Sequence, residues 1–378
     1  MKNNLWIIVG CMLTSQTVLA QSSVTLFGTI DEGLNFTSNV AGSRSYQMAT
    51  SELATSRWGV KGNEDLGGGL SALFDLESGF DVNSGQLYYG NRMFGYQAYV
   101  GLQSTQYGSL MLGRQYDSIV DVISPLTANG NWAGWLFSHP LDNDNTDGSY
   151  HVSNAVKFTS NTYGGLSATA TYGFSNAAGA FSQNRFYSAG LSYVYNTLTV
   201  GAAFANMGQP GTTVGGAVAT DDAGFAAKNQ KTYALGATYG IGAATVGAVY
   251  TRVALQQPTS SIYLTSLGLN GADVDFDNFE LNARYNVTPT ILVGAMYVYT
   301  RAQIKRDGND AAIHWNEIGL MGQYLLSKRT SVYLQYVYQR VSGGTTGSAL
   351  DYAFVPGTAG PSSGDNVSVV RIGISHAF

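Results

Sequence analysis

The chain is poor in cysteine, proline and charge, and each shortage narrows its class. The one cysteine among 378 residues is Cys11, so a disulfide framework and cysteine chemistry are excluded if the N-terminus is removed. Charged residues make up only 11% of the chain, and the net charge of −5 argues against nucleic acid as a partner. No apolar run is long enough for a membrane helix, which needs about 20 residues. The chain is instead rich in glycine and tyrosine, with 47 Gly and 25 Tyr.

The N-terminus has the pattern of a secretory signal. Lys2 is followed by an apolar run over residues 5–13 and by small residues that end at Ala20. A first membrane helix would need a longer run, and a lipoprotein signal ending at Cys11 would need a longer apolar stretch before it. We therefore predict a cleaved signal peptide over residues 1–20 and a mature domain over 21–378.

The mature chain alternates polar and apolar residues in short segments. Such a period of two places alternate side chains on opposite faces of a β-strand. The polar set is mostly Ser, Thr, Gly and Asn, and the apolar set often ends in an aromatic residue. This pattern favours a lipid-facing band around a polar lumen over a soluble β-sandwich. It appears, for example, in residues 166–175, 187–195, 198–204, 278–285 and 331–339.

The connections between these segments alternate in length. About seven short turns and about eight long loops predict an antiparallel transmembrane β-barrel of about 16 strands, wide enough for an aqueous channel. The closing strand, residues 367–378, is expected to pair with the first strand, residues 24–36. The long loops are predicted at residues 37–50, 81–92, 118–151, 176–185, 207–229, 255–274, 305–312 and 342–366.

The longest interruption of the alternation lies between residues 113 and 160. A connection of this length is uncommon unless it is functional. We predict that the loop over about residues 118–151 folds into the barrel mouth and narrows a water-filled pore.

Several longer stretches resemble the general porins of β-proteobacteria, the Burkholderia, Bordetella and Comamonas type. They are AQSSVTLFGTID (20–31), SRWGVKGNEDLGGGL (56–70), YVGL (99–102), LGRQYDS (112–118), SPLTANGNW (124–132) and PLDNDNTD (140–147).

The resemblance implies an outer-membrane porin of a Gram-negative bacterium that lets ions and small hydrophilic solutes diffuse passively. It implies a homotrimer of 16-stranded barrels, an inward-folded third loop, and contact with outer-membrane lipids and lipopolysaccharide. It also implies that the terminal Phe378 is recognised by the barrel-assembly machinery. It implies no cofactor and no enzymatic activity.

The pore needs a constriction whose width and charge sort the solutes. Arg57 and Lys61 share one parity of the second strand and are predicted to face the lumen, although an arginine at a rim would also fit. The resemblance implies wall arginines at two further positions, where this chain has Tyr96 and His151. Anion preference is therefore in doubt. His151 either titrates near its ordinary pKa and makes selectivity depend on pH, or simply packs.

The remaining candidates leave two interpretations open. Asp117 and Asp121 either form an acidic face opposite Arg57 or pair with Arg114 to hold the loop. Lys157 is a further lumen candidate, and weaker ones are Arg92, Arg284 and Arg371.

No metal or catalytic site is predicted. The run Asn143, Asn145, Asp147 and Gly148 resembles the start of a calcium loop, but Asn154 stands where a bidentate Glu is needed, so a self-bonded polar loop is favoured. A barrel enzyme would need an acid–base constellation that is not found. A substrate-selective channel for anions, dicarboxylates or sugars is the alternative function. Trp132, Trp135 and Phe137 would suit sugars, although packing of the loop against the barrel wall explains them equally well.

Overall fold

The computed structural model describes residues 23–306 and 310–378, so the predicted signal peptide lies outside the described residues. Its strands form one antiparallel sheet and a small separate pair, β11 with β14. The strands are β1 (Ser23–Val40), β2 (Ser43–Thr50), β3 (Arg57–Gly67), β4 (Leu70–Gly79), β5 (Gln97–Ser104), β6 (Gly108–Gln115), β7 (Val152–Ser160), β8 (Leu166–Gly173), β9 (Phe186–Tyr195), β10 (Leu198–Gly208), β11 (Phe225–Ala226), β12 (Asn229–Ile241), β13 (Ala244–Gln256), β14 (Ser260–Ser261), β15 (Asp273–Thr288), β16 (Ile291–Lys305), β17 (Ala311–Leu325), β18 (Thr330–Gly343) and β19 (Asn366–Ala377).

Two of these elements are halves of a single barrel strand. Residues 32–40 of β1 pair with β2, and residues 23–29 of β1 pair with β3. A bend over residues 51–56 separates β2 from β3. With β2 and β3 counted together, the described residues form a closed barrel of 16 antiparallel strands. The predicted strand number is confirmed.

The barrel closes between its first and last strands. β1 pairs with β19 from Thr29 opposite Ala377 to Thr37 opposite Val369. The backbone N–H of the terminal Phe378 donates to the carbonyl of Gly28 at 2.9 Å. Closure satisfies the backbone groups that an open edge would expose to lipid.

One predicted loop is wrong. Residues 37–50 do not form a long connection, because β1 runs to Val40 and β2 begins at Ser43. The two residues between them, Ala41 and Gly42, have φ angles of 49° and 93°. Positive φ at both positions of a two-residue turn matches the twist of a β-hairpin. Few apolar residues mark these strand ends, so the alternation was missed.

Side chains alternate between the two faces as predicted. On β15, Phe279 and Leu281 are 50% and 62% exposed on the outer face, whereas the intervening Glu280 is 2% exposed on the inner face. The outer face is the one that meets lipid in a barrel of this kind. Across residues 23–306 and 310–378, no helix is both long and apolar enough to cross a bilayer.

Candidate functional site

Asp117, at the start of the connection from β6 to β7, stabilises that connection through hydrogen bonds within it. The Asp117 carboxylate caps the helix Ser118–Val122, accepting hydrogen bonds from the backbone N–H groups of Ile119 and Val120 at 2.8 and 2.9 Å. The same carboxylate accepts a bond of 2.8 Å from the Tyr150 hydroxyl near the far end of the connection. Asp117 therefore holds the connection together and does not face Arg57.

Glycines on the barrel strands make room for the bulky side chains of this connection. A Cβ added to Gly294 on β16 would lie 2.4 Å from the Trp132 ring, and one added to Gly319 on β17 would lie 2.3 Å from the Phe137 ring. Gly201 on β10 faces Val122 in the same way. Such distances exclude a larger side chain at these positions, so the connection packs closely against strands far from β6.

A buried ionic group ties the connection to β15. The His139 ring lies between two carboxylates, with Nδ1 at 2.6 Å from Asp144 and Nε2 at 3.0 Å from Glu280. Burial alone would lower the pKa of His139, but the two carboxylates, Asp144 first, raise it well above its ordinary value. Glu280 also accepts the backbone N–H of Ala128 at 2.7 Å. We call His139, Asp144 and Glu280 the buried anchor.

Further hydrogen bonds join the connection to the bend between β2 and β3 and to β18. The backbone N–H of Trp135 donates to the carbonyl of Glu52, in the bend between β2 and β3, at 2.6 Å. The Gln335 amide on β18 donates to the carbonyl of Ala133 at 2.5 Å. The connection thus contacts inner-face residues from β10 through β18 and on to the bend after β2.

A cavity of about 510 Å³ lies beside this connection. Its walls come from the bend between β2 and β3, the segment before β5, the β6–β7 connection, the β10–β12 connection and the β13–β15 connection. The lining residues are Ser51, Glu52, Leu53, Ala54, Thr55, Arg57, Tyr88, Tyr89, Gly90, Tyr96, Asn129, Gly134, Trp135, Asp147, Gly148, Ser149, Asp221, Ile262 and Tyr263.

The charge of this lining is mixed. Among the described residues, Arg57 is its one basic side chain, and Arg57 Nε lies 3.0 Å from the Glu77 carboxylate. The acidic lining residues are Glu52, Asp147 and Asp221. Burial, and then the neighbouring Asp142, raise the pKa of Asp147 well above its ordinary value. Arg57 thus lines the cavity, but its guanidinium is already compensated by Glu77.

Two predicted basic residues, Arg114 and Lys157, have partners outside the cavity lining. Arg114 donates to Asp222 at 2.5 Å and to the Ser153 hydroxyl at 2.8 Å. Lys157 forms an ion pair with Asp121. The predicted pairing of Asp121 with Arg114 is wrong, because Asp121 pairs with Lys157 and Arg114 with Asp222. Asp222 lies in the β10–β12 connection and could not be matched to Arg114 from sequence.

Lys61 lies on the inner parity of β3 with Arg57, but it does not line the cavity. Its ammonium lies 4.7 Å from the centre of the Phe27 ring, and its side chain is exposed. Of the weaker candidates, Arg92 pairs with Asp221 at 2.7 Å, and Arg371 is fully buried against Asp31.

Tyr96 and His151 meet in one aromatic cluster. The His151 ring packs 5.2 Å from Tyr96, 4.7 Å from Tyr89 and 4.5 Å from Tyr116, measured between ring centres. Neither ring nitrogen of His151 has a hydrogen-bond partner among the described residues. Burial lowers the pKa of His151 well below its ordinary value, and the Arg114 charge lowers it further. His151 therefore packs, and titration near its ordinary pKa is wrong.

The polar run after Pro140 bonds to itself. Asp142 accepts hydrogen bonds from the backbone N–H groups of Asp147 at 3.0 Å and Ser149 at 3.2 Å. In the part of the chain that the structure describes, no three His, Cys, Asp or Glu side chains are grouped to hold a metal ion.

Sequence reasoning missed several residues of this region. Glu280 could have been found, because it is a carboxylate on the inner parity of β15 between two asparagines. Tyr88, Tyr89 and Tyr263 lie in connections without periodicity, and nothing in their local sequence separates them from surface tyrosines. Glu52 likewise follows no pattern.

Comparisons with known proteins agree with this architecture. A model of the Gram-negative porin family matches residues 8–344. An outer membrane porin of Delftia acidovorans is 28% identical over 397 residues, covering 100% of both chains. An outer membrane porin of Bordetella pertussis is 27% identical, covering 95% of each.

Solved structures show the same fold. The anion-selective porin from Comamonas acidovorans superposes with a TM-score of 0.72 at 24% identity, covering 95% of this chain and 100% of that one. An outer membrane protein of Vibrio cholerae in its trimer form gives a TM-score of 0.66 at 16% identity, covering 94% and 99%.

Proposed function

Because the chain belongs to the Gram-negative porin family, we propose that solutes cross its barrel through the cavity beside Trp135, with little preference for anions. The protein is an outer-membrane porin, and its relatives are channels rather than enzymes. The β6–β7 connection then acts as the inward-folded third loop that narrows a water-filled pore. A passive pore needs only this constriction and its charges.

One observation carries the proposed selectivity. The one basic residue among the described cavity-lining residues, Arg57, is paired with Glu77. Of the acidic lining residues, Asp221 is paired with Arg92, whereas Glu52 and Asp147 form no ion pair within the described residues. The two further wall positions where the resemblance implies arginines hold Tyr96 and His151, which pack against each other. A transverse field that attracts anions needs uncompensated basic groups facing the loop. Arg57 alone does not supply them.

The assembly is proposed to be a homotrimer. The support is membership of the porin family and the trimer form of a Vibrio cholerae relative in fold. The exposed apolar outer face would then divide between lipid and neighbouring subunits. Contacts with outer-membrane lipids, lipopolysaccharide and, through Phe378, the barrel-assembly machinery belong to the same proposal.

Planar-bilayer recording tests this function. We expect conductance in steps of three and a reversal potential near zero or on the cation side in a potassium chloride gradient. Because burial raises the pKa of Asp147, this carboxyl gains its negative charge only as the pH rises through that raised pKa, so the cation preference should increase with pH. Strong anion selectivity would contradict the charge argument, and folded protein without conductance would contradict the pore itself.

A further inference from the structure

The cavity is lined by more aromatic rings than a simple charge filter requires. Tyr88, Tyr89 and Tyr96 come from the segment before β5, Trp135 from the β6–β7 connection, and Tyr263 from the β13–β15 connection. Three separate connections therefore place aromatic side chains around one space. Its volume of about 510 Å³ lies within the range of small-molecule sites, about 300–1,000 Å³.

The rings are held in place by hydrogen bonds at their polar ends. The Tyr263 hydroxyl lies 2.6 Å from the Ser149 hydroxyl and accepts the Trp135 indole N–H at 3.1 Å. The Tyr88 hydroxyl lies 3.2 Å from the Ser51 hydroxyl. Fixed rings lose little side-chain freedom when a ligand arrives, so they can form a preorganised surface.

The chemistry of the lining selects the ligand class. Aromatic faces carry a negative quadrupole that attracts the positively polarised C–H groups of a sugar ring. Hydroxyl and amide groups of Ser51, Thr55, Asn129 and Ser149 offer hydrogen-bond partners at the edges. An anion would meet a guanidinium already paired with Glu77. A purely apolar ligand would leave the polar edges without partners.

We propose that the cavity is a weak, saturable binding site for neutral sugars of one or two rings. This inference rests on the proposed function, because the site would be a stretch of the same pore.

The test is the ion current through reconstituted wild-type channels in the presence of maltose and, separately, glucose. We expect maltose to reduce the current with a saturable concentration dependence and to add current noise as molecules enter and leave. Trp135→Leu and Tyr88→Leu should each raise the half-blocking concentration about tenfold, the change that corresponds to the loss of about 1.4 kcal/mol of binding. Both variants should still conduct ions, which shows that they are folded.

The matched control is Tyr195→Leu. Tyr195 is 62% exposed on the outer face of β9, so its loss should leave the maltose block unchanged. Unchanged block in both cavity variants would place any sugar site elsewhere and overturn the proposal. Benzoate blocking where maltose does not would overturn it in favour of an aromatic anion site.

The outcomes separate the two proposals. Conductance without sugar block would overturn the sugar site and leave the porin function standing. Absence of conductance from folded protein would overturn both, because the site exists only as part of an open pore.

Discussion

His139→Ala is expected to release the long connection from the barrel wall and make the channel wider and noisier. The substitution leaves the carboxylates of Asp144 and Glu280 buried without their cationic partner. Breaking a buried ion pair from one side costs about 3–5 kcal/mol. Because the barrel strands keep their own hydrogen bonds, we expect the loss to appear in the loop. Single-channel recording should show higher mean conductance and rapid fluctuations.

The matched control is His314→Ala. His314 stacks on Tyr299 and contacts its hydroxyl at 2.7 Å, but the structure places no carboxylate of an ion pair beside it within the described residues. The control should conduct like the wild type. A quiet, unchanged channel in His139→Ala would show that the buried anchor does not hold the loop.

The pH dependence of the current fluctuations in the wild type provides a second test of the buried anchor. The folded-state pKa of His139 is raised above its unfolded value, so the anchor is complete below pH about 6.5 and is lost only as the pH rises through the raised pKa. Current fluctuations of the wild type should therefore grow as the pH rises through the raised pKa of His139. His139→Ala should fluctuate at every pH, and equal pH dependence in both proteins would contradict the assignment.

Arg371→Leu is expected to weaken closure of the barrel. Arg371 is fully buried and lies on the closing strand β19, with Nη2 3.1 Å from Asp31. It also donates to Asn35 at 2.8 Å, to the carbonyl of Ala49 at 2.9 Å and to the Tyr333 hydroxyl at 2.8 Å. It thus connects β19 with β1, β2 and β18. Loss of the guanidinium leaves Asp31 buried and unpaired, at a cost of about 3–5 kcal/mol.

Heat-induced unfolding in detergent, followed by the loss of β-sheet circular dichroism, measures this cost. The variant should unfold at a clearly lower temperature than the wild type. Arg340→Leu is the control, because Arg340 and Asp365 form an exposed pair at 3.7 Å, with 61% and 55% of their side chains exposed. Such pairs contribute about 0–1 kcal/mol. Equal stability of the two variants would contradict the closure role of Arg371.

Most of the barrel follows from local sequence pattern. A period of two separates the lipid face from the lumen face without knowledge of which strands are neighbours. This is why the parity of β15 puts Phe279 outside and Glu280 inside, and why the strand number could be counted from the turns. The pattern failed where polar strands meet at Ala41 and Gly42, because no apolar alternation marked the strand ends.

The candidate site was less predictable, because its interactions join distant residues. His139 pairs with Glu280 and Arg114 with Asp222, and nothing in the residues between them reveals either contact. Which charged side chains line the cavity, and which are buried in ion pairs, depends on the folded structure. Arg57 could be placed by parity, but its pairing with Glu77 on the neighbouring strand depends on register.

The central claim is that solutes pass through the cavity beside Trp135, and cysteine accessibility tests it most directly. The predicted mature chain has no cysteine, so Thr55→Cys, in the cavity lining, and Ser188→Cys, 4% exposed beneath the helix Ser118–Val122, would each carry one thiol. A charged, water-soluble thiol reagent should reduce the current through Thr55→Cys channels and leave Ser188→Cys channels unchanged. Block at Ser188→Cys with none at Thr55→Cys would put the solute path on the other side of the connection and contradict the account.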